Sequence, residues 1–163
     1  MSHGPHPRPA RAPIPRPAES AARLLHPSHP GSVVLDTEAL THIAKGLAEA
    51  ISEAPDAPDG AIERIPLLST EGYDAWLMIW GIGATLEAHD HDGSIGVMHV
   101  LHGTLLERAG ELADLELAPL RRLEPGSTSE FAADHRHALD NGAPEVAVSI
   151  GVYSPPLAGH GEE

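Results

Sequence analysis

From Ala61 onward the chain is a succession of short apolar or alternating runs, each closed by a turn signal. Ile62 to Leu68, Ala75 to Gly83, Ser94 to Leu101, Thr104 to Glu107, Leu112 to Leu117, Leu120 to Leu123 and Glu145 to Tyr153 are predicted strands. Glu71-Gly72, Asp92-Gly93, His102-Gly103, Ala109-Gly110, Pro125-Gly126 and Asn141-Gly142 are the turns that separate them. Short strands at such spacing predict a closed all-β barrel or jelly roll. No strand–helix–strand rhythm, glycine-rich phosphate loop or Gly-x-Ser-x-Gly elbow occurs, so doubly wound nucleotide-binding and hydrolase folds find no support.

The segment before the strands has a different character. Residues 1–32 are rich in Pro, Arg and Ala, delete backbone donors at each proline and have little to bury, which predicts a flexible tail. His3, His6, His26 and His29 belong to that solvated tail. Residues 33–163 form the folded unit, beginning with a helix over 34–54. Asp36 or Thr37 can cap it, and Leu40, Ile43, Ala44, Leu47, Ala50 and Ile51 recur at helical spacing. The strand array then occupies 61–157.

Composition excludes several kinds of function. The formal net charge is −14 at pH 7, which disfavours nucleic acid and acidic membrane as partners. There is no cysteine, hence no disulfide, thiolate ligand or cysteine nucleophile, and histidine and carboxylate are the strong metal ligands that remain. No apolar run approaches a membrane span and no charged-then-apolar leader opens the chain, so a cytoplasmic monomer or small homo-oligomer is expected.

The histidines are unevenly informative. His89 and His91, two residues apart, put both imidazoles on one side of an extended strand. With 12 histidines in 163 residues, about one such pair arises by chance, and His135 and His137 make another. The surroundings discriminate. The first pair sits in Gly83-x5-His89-x-His91, closing at Gly103 after a strand. The second segment begins at Pro125-Gly126 and runs through Phe131 to His137-x3-Asn141.

These two segments resemble the paired signature motifs of the cupin superfamily, a double-stranded β-helix barrel with a metal at its centre. Many cupins carry a glutamate ligand five residues after the second histidine, and here that residue is Gly96. The resemblance therefore implies a ligand set of His89, His91 and His137. Trp80, His89-Asp90-His91, Gly93-Ser94, Val100-Leu101-x-Gly103, His137-x3-Asn141 and Ala147-Val148-Ser149-x-x-x-Tyr153-Ser154-Pro155-Pro156 are similar to the cysteine dioxygenase (type I) family of thiol dioxygenases. The likeness spans roughly residues 62–157. It implies Fe(II), a small thiol substrate and O2, with both oxygen atoms delivered to sulfur to give a sulfinic acid.

Three neutral imidazoles leave the full +2 charge on a metal, which attracts a thiolate and lowers its pKa. A facial three-ligand set also leaves positions open for substrate and O2. Coordination alone does not choose iron, since zinc with three histidines and a water is equally sound and points to hydrolysis. Arg64, counted back from Trp80, falls where the family carries an arginine for the substrate carboxylate, a role suited to two parallel hydrogen bonds; the other reading is a surface strand arginine. Tyr153 matches the family's active-site tyrosine. Ser149, Gly151 and Tyr153 alternate onto one face of the last strand, where relatives carry Ser, His and Tyr, so Gly151 breaks the relay. Gly96 stands where some relatives have the cysteine of a cysteine–tyrosine crosslink.

The other candidates are bland. His135 replaces His137 only if the register slips. His99 packs or faces solvent, His102 and His42 lie on the surface, and His160 sits in the glycine-rich terminus. Trp76, Met78 and Trp80 belong to core or pocket wall, while Glu87 and Asp90 point away from the ligands into solvent. Two rival functions stay open: a non-catalytic cupin binding a metal or small ligand, and a metal-dependent isomerase or hydrolase.

Overall fold

The computed structural model describes residues 35–110, 115 and 118–157. Helix α1 spans Thr37–Ala50. Nine strands follow: β1 Ile62–Ser69, β2 Asp74–Trp80, β3 Thr85–His89, β4 Ile95–His102, β5 Leu105–Gly110, β6 Arg121–Leu123, β7 Thr128–Phe131, β8 Arg136–Asp140 and β9 Ala147–Ser154. They form two antiparallel sheets, ordered β1-β2-β9-β4-β7 and β3-β8-β5-β6.

α1 starts where Asp36 accepts a hydrogen bond from the Ala39 amide at 2.8 Å, satisfying a donor that the first turn leaves without a partner. It stops at Ala50, before Pro55, because Ile51 is already extended. Its apolar stripe (Ala39, Leu40, Ile43, Ala44 and Leu47) covers the outer face of the five-stranded sheet, meeting Leu77, Ile79, Val97, Val148, Ile150 and Val152. Burying each of the larger members contributes about 1.5–3 kcal/mol. The inner face of the same sheet packs against the four-stranded sheet. Met78, Trp80, Met98, Ala147 and Tyr153 meet Leu105, Leu123 and Leu139 there. β9 is therefore covered on both sides, and all eight of its residues are buried. That double cover explains why Ala147-Val-Ser-Ile-Gly-Val-Tyr153 is apolar almost throughout rather than alternating.

The strand pattern differs from expectation in three places. The run from Ala75 to Gly83 is one strand only as far as Trp80; a turn follows, and Thr85–His89 forms a strand in the other sheet. Thr128–Phe131 and Arg136–Asp140 are strands that their short, polar sequences do not announce. The predicted strand at 112–117 lies, apart from Leu115, outside the described residues, as do the tail and His160.

His99 is a buried polar residue of the outer face, 8% exposed, with Nδ1 at 2.8 Å from Thr128 Oγ1. Burial, and then the nearby Lys45 ammonium, lower its pKa. The folded state thus keeps it neutral while the unfolded chain takes up a proton below about pH 6.5, so stability is lost as pH falls from there toward the folded pKa. One such group supplies a slope of at most about 1.4 kcal/mol per pH unit. Urea unfolding of the metal-free protein should show a shallower loss between pH 7 and 5.5 for His99→Gln than for the parent chain. Equal slopes would mean that His99 titrates alike in both states.

Candidate metal centre and substrate cavity

The centre is assembled where the inner faces of the two sheets meet. β3 and β8 pair antiparallel with His89 directly opposite His137. That register is not the one with which the strands begin. Thr85 pairs with Asp140 and Leu86 with Leu139, and an irregularity between Leu86 and His89 shifts the pairing by one residue. In a regular strand Leu86 and His89, three apart, would face opposite sides. The bulge lets both line the same cavity. His91 lies just beyond β3. The turn after it is closed by the Ser94 amide donating to the His91 carbonyl at 3.0 Å, with Asp92 and Gly93 at positive φ (51° and 86°) as the Asp-Gly pair predicts.

The three imidazoles converge by their Nε2 atoms. His137 Nε2 is 3.1 Å from His89 Nε2 and 3.2 Å from His91 Nε2. His89 Nδ1 donates to the Glu87 carbonyl at 2.8 Å, and His137 Nδ1 donates to the Glu107 carboxylate at 3.1 Å. Carbonyl and carboxylate oxygens only accept, so each Nδ1 carries the proton and each neutral ring has its lone pair on Nε2. Two lone pairs facing each other at 3.1 Å repel unless a cation lies between them. The donor set therefore fits a metal ion, and His89, His91 and His137 are a group able to hold one. Burial, the largest influence, lowers the pKa of His89; the Glu87 hydrogen bond and Asp90 oppose it, while His137 and Arg64 add to it. A neutral imidazole is the ligating form.

Glu107 and Ser129 carry no signal that sequence reasoning used. The Glu107 carboxylate is wholly buried, accepting from His137 Nδ1 and, at 2.6 Å, from Ser129 Oγ, with Arg121 Nη1 at 3.6 Å. Burial alone would raise its pKa, but the bonds from His137 and Ser129 and the Arg121 charge hold it below the usual carboxylate range. The available clue was a lone acid on the inward position of the apolar run Leu105-Leu-Glu107. Its presence alters the expectation of an uncompensated +2 charge, because an anion lies one imidazole away.

Gly96 and Phe131, paired across β4 and β7, explain the missing carboxylate ligand. A Cβ on Gly96 would overlap Phe131 Cε2 and lie 2.8 Å from Tyr153 Cδ1. Phe131 fills the place of a larger residue at 96 and stacks on His91, with centroids 4.5 Å apart and planes at 24°. Tyr153 packs on His91 at 5.1 Å. Any residue larger than glycine at 96 must displace that aromatic wall.

A cavity of about 260 Å³ opens beside His89 and His91, walled by Trp76, Met78, Leu86 and Leu157, with Arg64, Asp90 and Tyr153 as further polar groups. Arg64 pairs with Met78, and Met78 with Ser149, which puts the arginine on the inner face two strands from β9. It makes no ion pair with a described carboxylate, whereas Asp90 at the rim pairs with Arg136 at 3.6 Å. Burial, with Asp74 adding and Arg64 opposing, raises the Tyr153 pKa far above its ordinary value, so the phenol stays a neutral donor. Gly151 has a definite consequence. A Cβ there would lie 2.7 Å from the Tyr153 hydroxyl, so the tyrosine occupies the space the absent side chain leaves. Ser149 instead accepts from Trp80 Nε1 at 3.0 Å.

The remaining motif residues are structural. Asn141 Nδ2 lies within 3.0 Å of the Trp80, Gly81 and Glu145 carbonyls, and its Oδ1 accepts from Ala143 N. It joins the end of β8 to the β2–β3 turn and so fixes β3 beside β8. Ser154 Oγ donates to the Gly72 carbonyl and accepts from the Leu35 amide, tying the end of β9 to the start of α1. Leu157 is drawn over the cavity by its amide, which donates to Asp74 Oδ2. His135, His42 and His102 are exposed, as are Glu87 and Asp90.

Several solved structures share this arrangement of strands. A Thermus thermophilus protein is 25% identical, with a TM-score of 0.51, the match covering 58% of this chain and 84% of that one. KdgF from Halomonas is 21% identical (TM-score 0.51, 58% and 78% covered), and a cupin superfamily protein of Desulfitobacterium hafniense is 14% identical (TM-score 0.50, 66% and 85% covered). At such identities the latter two speak for the cupin fold alone. No curated protein matches the sequence. Residues 66–160 match the family described as cysteine dioxygenase type I. That stretch carries the three histidines, Glu107, Phe131 and Tyr153, beginning just after Arg64, and the chain belongs to the cysteine dioxygenase type I family of cupins.

Proposed function

We propose that the protein is an iron-dependent thiol dioxygenase that converts cysteine or a similar small thiol carboxylate to its sulfinic acid. The observation that carries this is the convergence of three imidazole Nε2 atoms, with His89 and His91 lining a small cavity whose wall holds Arg64, in a chain of this family. His89, His91 and His137 would hold Fe(II), which supplies open positions for a thiolate and for O2. The balance is complete without a reductant: RSH + O2 gives RSO2H, a four-electron oxidation of sulfur matched by four-electron reduction of O2.

The chain's own groups bind and orient. Arg64 takes the carboxylate through paired charge-assisted hydrogen bonds. Tyr153 presents a neutral hydroxyl beside His91, and Trp76, Met78 and Leu157 keep water away, strengthening both electrostatic contacts. The charges sum favourably for a dry site. A divalent ion is offset by Glu107 and one thiolate, and Arg64 by one carboxylate.

Anaerobic iron loading followed by O2 uptake with cysteine and other small thiol carboxylates tests the activity, with the sulfinate as product. Stoichiometric zinc after native purification, with no thiol-dependent O2 consumption in the iron-loaded form, would overturn it. Arg64→Met should raise KM for carboxylated thiols roughly 100-fold, the worth of two charge-assisted bonds, with kcat little changed. A thiol lacking the carboxylate should be indifferent to that substitution; equal losses for both would remove Arg64 from the substrate site. Gly151 favours one second reading, a cupin that binds a small ligand at its metal without turnover. Tight binding of a thiol acid with no product formed would establish that instead.

A further inference from the structure

We infer that Glu107 is a positioning residue of the metal centre, fixing the tautomer of His137 and setting the net charge that the metal experiences. The inference rests only on the metal-binding part of the function proposed above.

The geometry supports both halves. His137 is the hub of the cluster, its Nε2 within 3.2 Å of both other ligating nitrogens, and it is 2% exposed. Its ring has two ways to carry one proton. A proton on Nε2 would block ligation; a proton on Nδ1 frees Nε2. Among the described residues, the group at Nδ1 is the Glu107 carboxylate, which accepts and cannot donate when ionised. Its other oxygen is held by Ser129 Oγ at 2.6 Å, so the carboxylate cannot turn away. Burying an anion completely is costly unless it meets positive charge. Here Arg121, half-exposed at 3.6 Å, is a weak partner. His137, were its Nε2 to hold a cation, would lie between two opposite charges and complete the compensation. A carboxylate behind a ligating histidine raises the basicity of that ligand, and its loss weakens metal binding about 10–100-fold.

Two substitutions separate geometry from charge. Glu107→Gln can still accept from His137 Nδ1 through its carbonyl while its amide donates to Ser129 Oγ, so tautomer and shape persist and only the charge is lost. Glu107→Leu removes both. Chelator competition with Zn(II) and, anaerobically, Fe(II) should show affinity falling about tenfold for Glu107→Gln and about 100-fold for Glu107→Leu. The midpoint potential of the bound iron should rise in the glutamine variant, because removing an anion disfavours the more highly charged ferric state. Arg121→Gln, which leaves the carboxylate in place, should change affinity less than about twofold, as expected for a half-exposed charge.

If both variants bind metal as tightly as the parent chain, the inference is wrong. If Glu107→Gln matches the parent in affinity and potential while Glu107→Leu is weakened, the charge half is wrong and Glu107 only orients. Should Glu107→Leu fail to fold, Glu107→Gln decides the charge half, and the ring-nitrogen NMR shifts of His137 in the metal-free parent chain decide the tautomer half, a proton on Nε2 overturning it. Failure of the parent chain itself to bind metal would sink the proposed function, a result separable from failure of the Glu107 variants.

Discussion

Alanine in place of His137 is expected to reduce metal occupancy to background, and with it the proposed thiol-dependent O2 uptake, whereas alanine in place of His135 leaves metal occupancy intact. Two residues apart, these side chains have opposite fates. His135 is exposed in the turn before β8, and surface substitutions of that kind change stability by no more than about 0.5 kcal/mol. His137 lies opposite His89 and within reach of His91, so its loss removes the nitrogen common to both short contacts. A ligand share of about 3 kcal/mol, from about 10–16 kcal/mol for a four-ligand structural zinc site, corresponds to an affinity loss of about 100-fold or more. The same substitution leaves the buried Glu107 carboxylate without the hydrogen bond from His137 Nδ1, a cost of about 1.5–3 kcal/mol for a bond to a charged group. His137→Gln, which retains a side-chain amide in the gap, separates lost coordination from lost folding. Metal analysis after dialysis, with thermal unfolding of each metal-free variant, makes the comparison; a His135 variant that lost its metal while the His137 variant kept it would reverse the ligand assignment.

The second large effect concerns stability. Asn141→Ala should lower the unfolding free energy by about 3–5 kcal/mol, because the buried Trp80 and Gly81 carbonyls lose their partner at about 1–3 kcal/mol each, and the half-buried Glu145 carbonyl and Ala143 amide add less. For a domain of this size that corresponds to a fall of about 10–20 °C in Tm. Asn141→Asp should be no better. Its side chain offers carboxylate oxygen to three carbonyl oxygens and has no donor when ionised. Since Asn141 holds the β2–β3 turn to the end of β8, the surviving folded fraction should also bind metal less tightly. Calorimetry with and without metal reports both. A variant with unchanged Tm would show that water replaces the amide at little cost.

Much of this protein is legible along the chain, and the reasons are local. Helix α1 is announced by a capping aspartate and an apolar stripe, and β9 by a run too apolar for any place but the middle of a covered sheet. Turn glycines mark Asp92-Gly93 and Pro125-Gly126, and the pair of histidine segments, with Gly96 where a carboxylate could have stood, points to a three-histidine centre. What stayed hidden depends on neighbours distant in sequence. Phe131 matters because it fills the space beside Gly96, and nothing in Thr-Ser-Glu-Phe says so. Tyr153 lies over Gly151 because a side chain is absent there, a relation of volumes rather than of residue type.

His89 and His137, 48 residues apart, are recognisable from sequence because each sits in a local pattern of its own. Composition alone removed thiolates from the ligand set. Only the tertiary structure decided how the two meet: a one-residue irregularity after Leu86 turns His89 to face His137, and pairing register is a property of two strands together. Only the tertiary structure, too, put a buried carboxylate behind His137. A glutamate in an alternating strand is outward or inward by a choice of face, and burial of its charge becomes tolerable once Ser129 and His137 are folded against it.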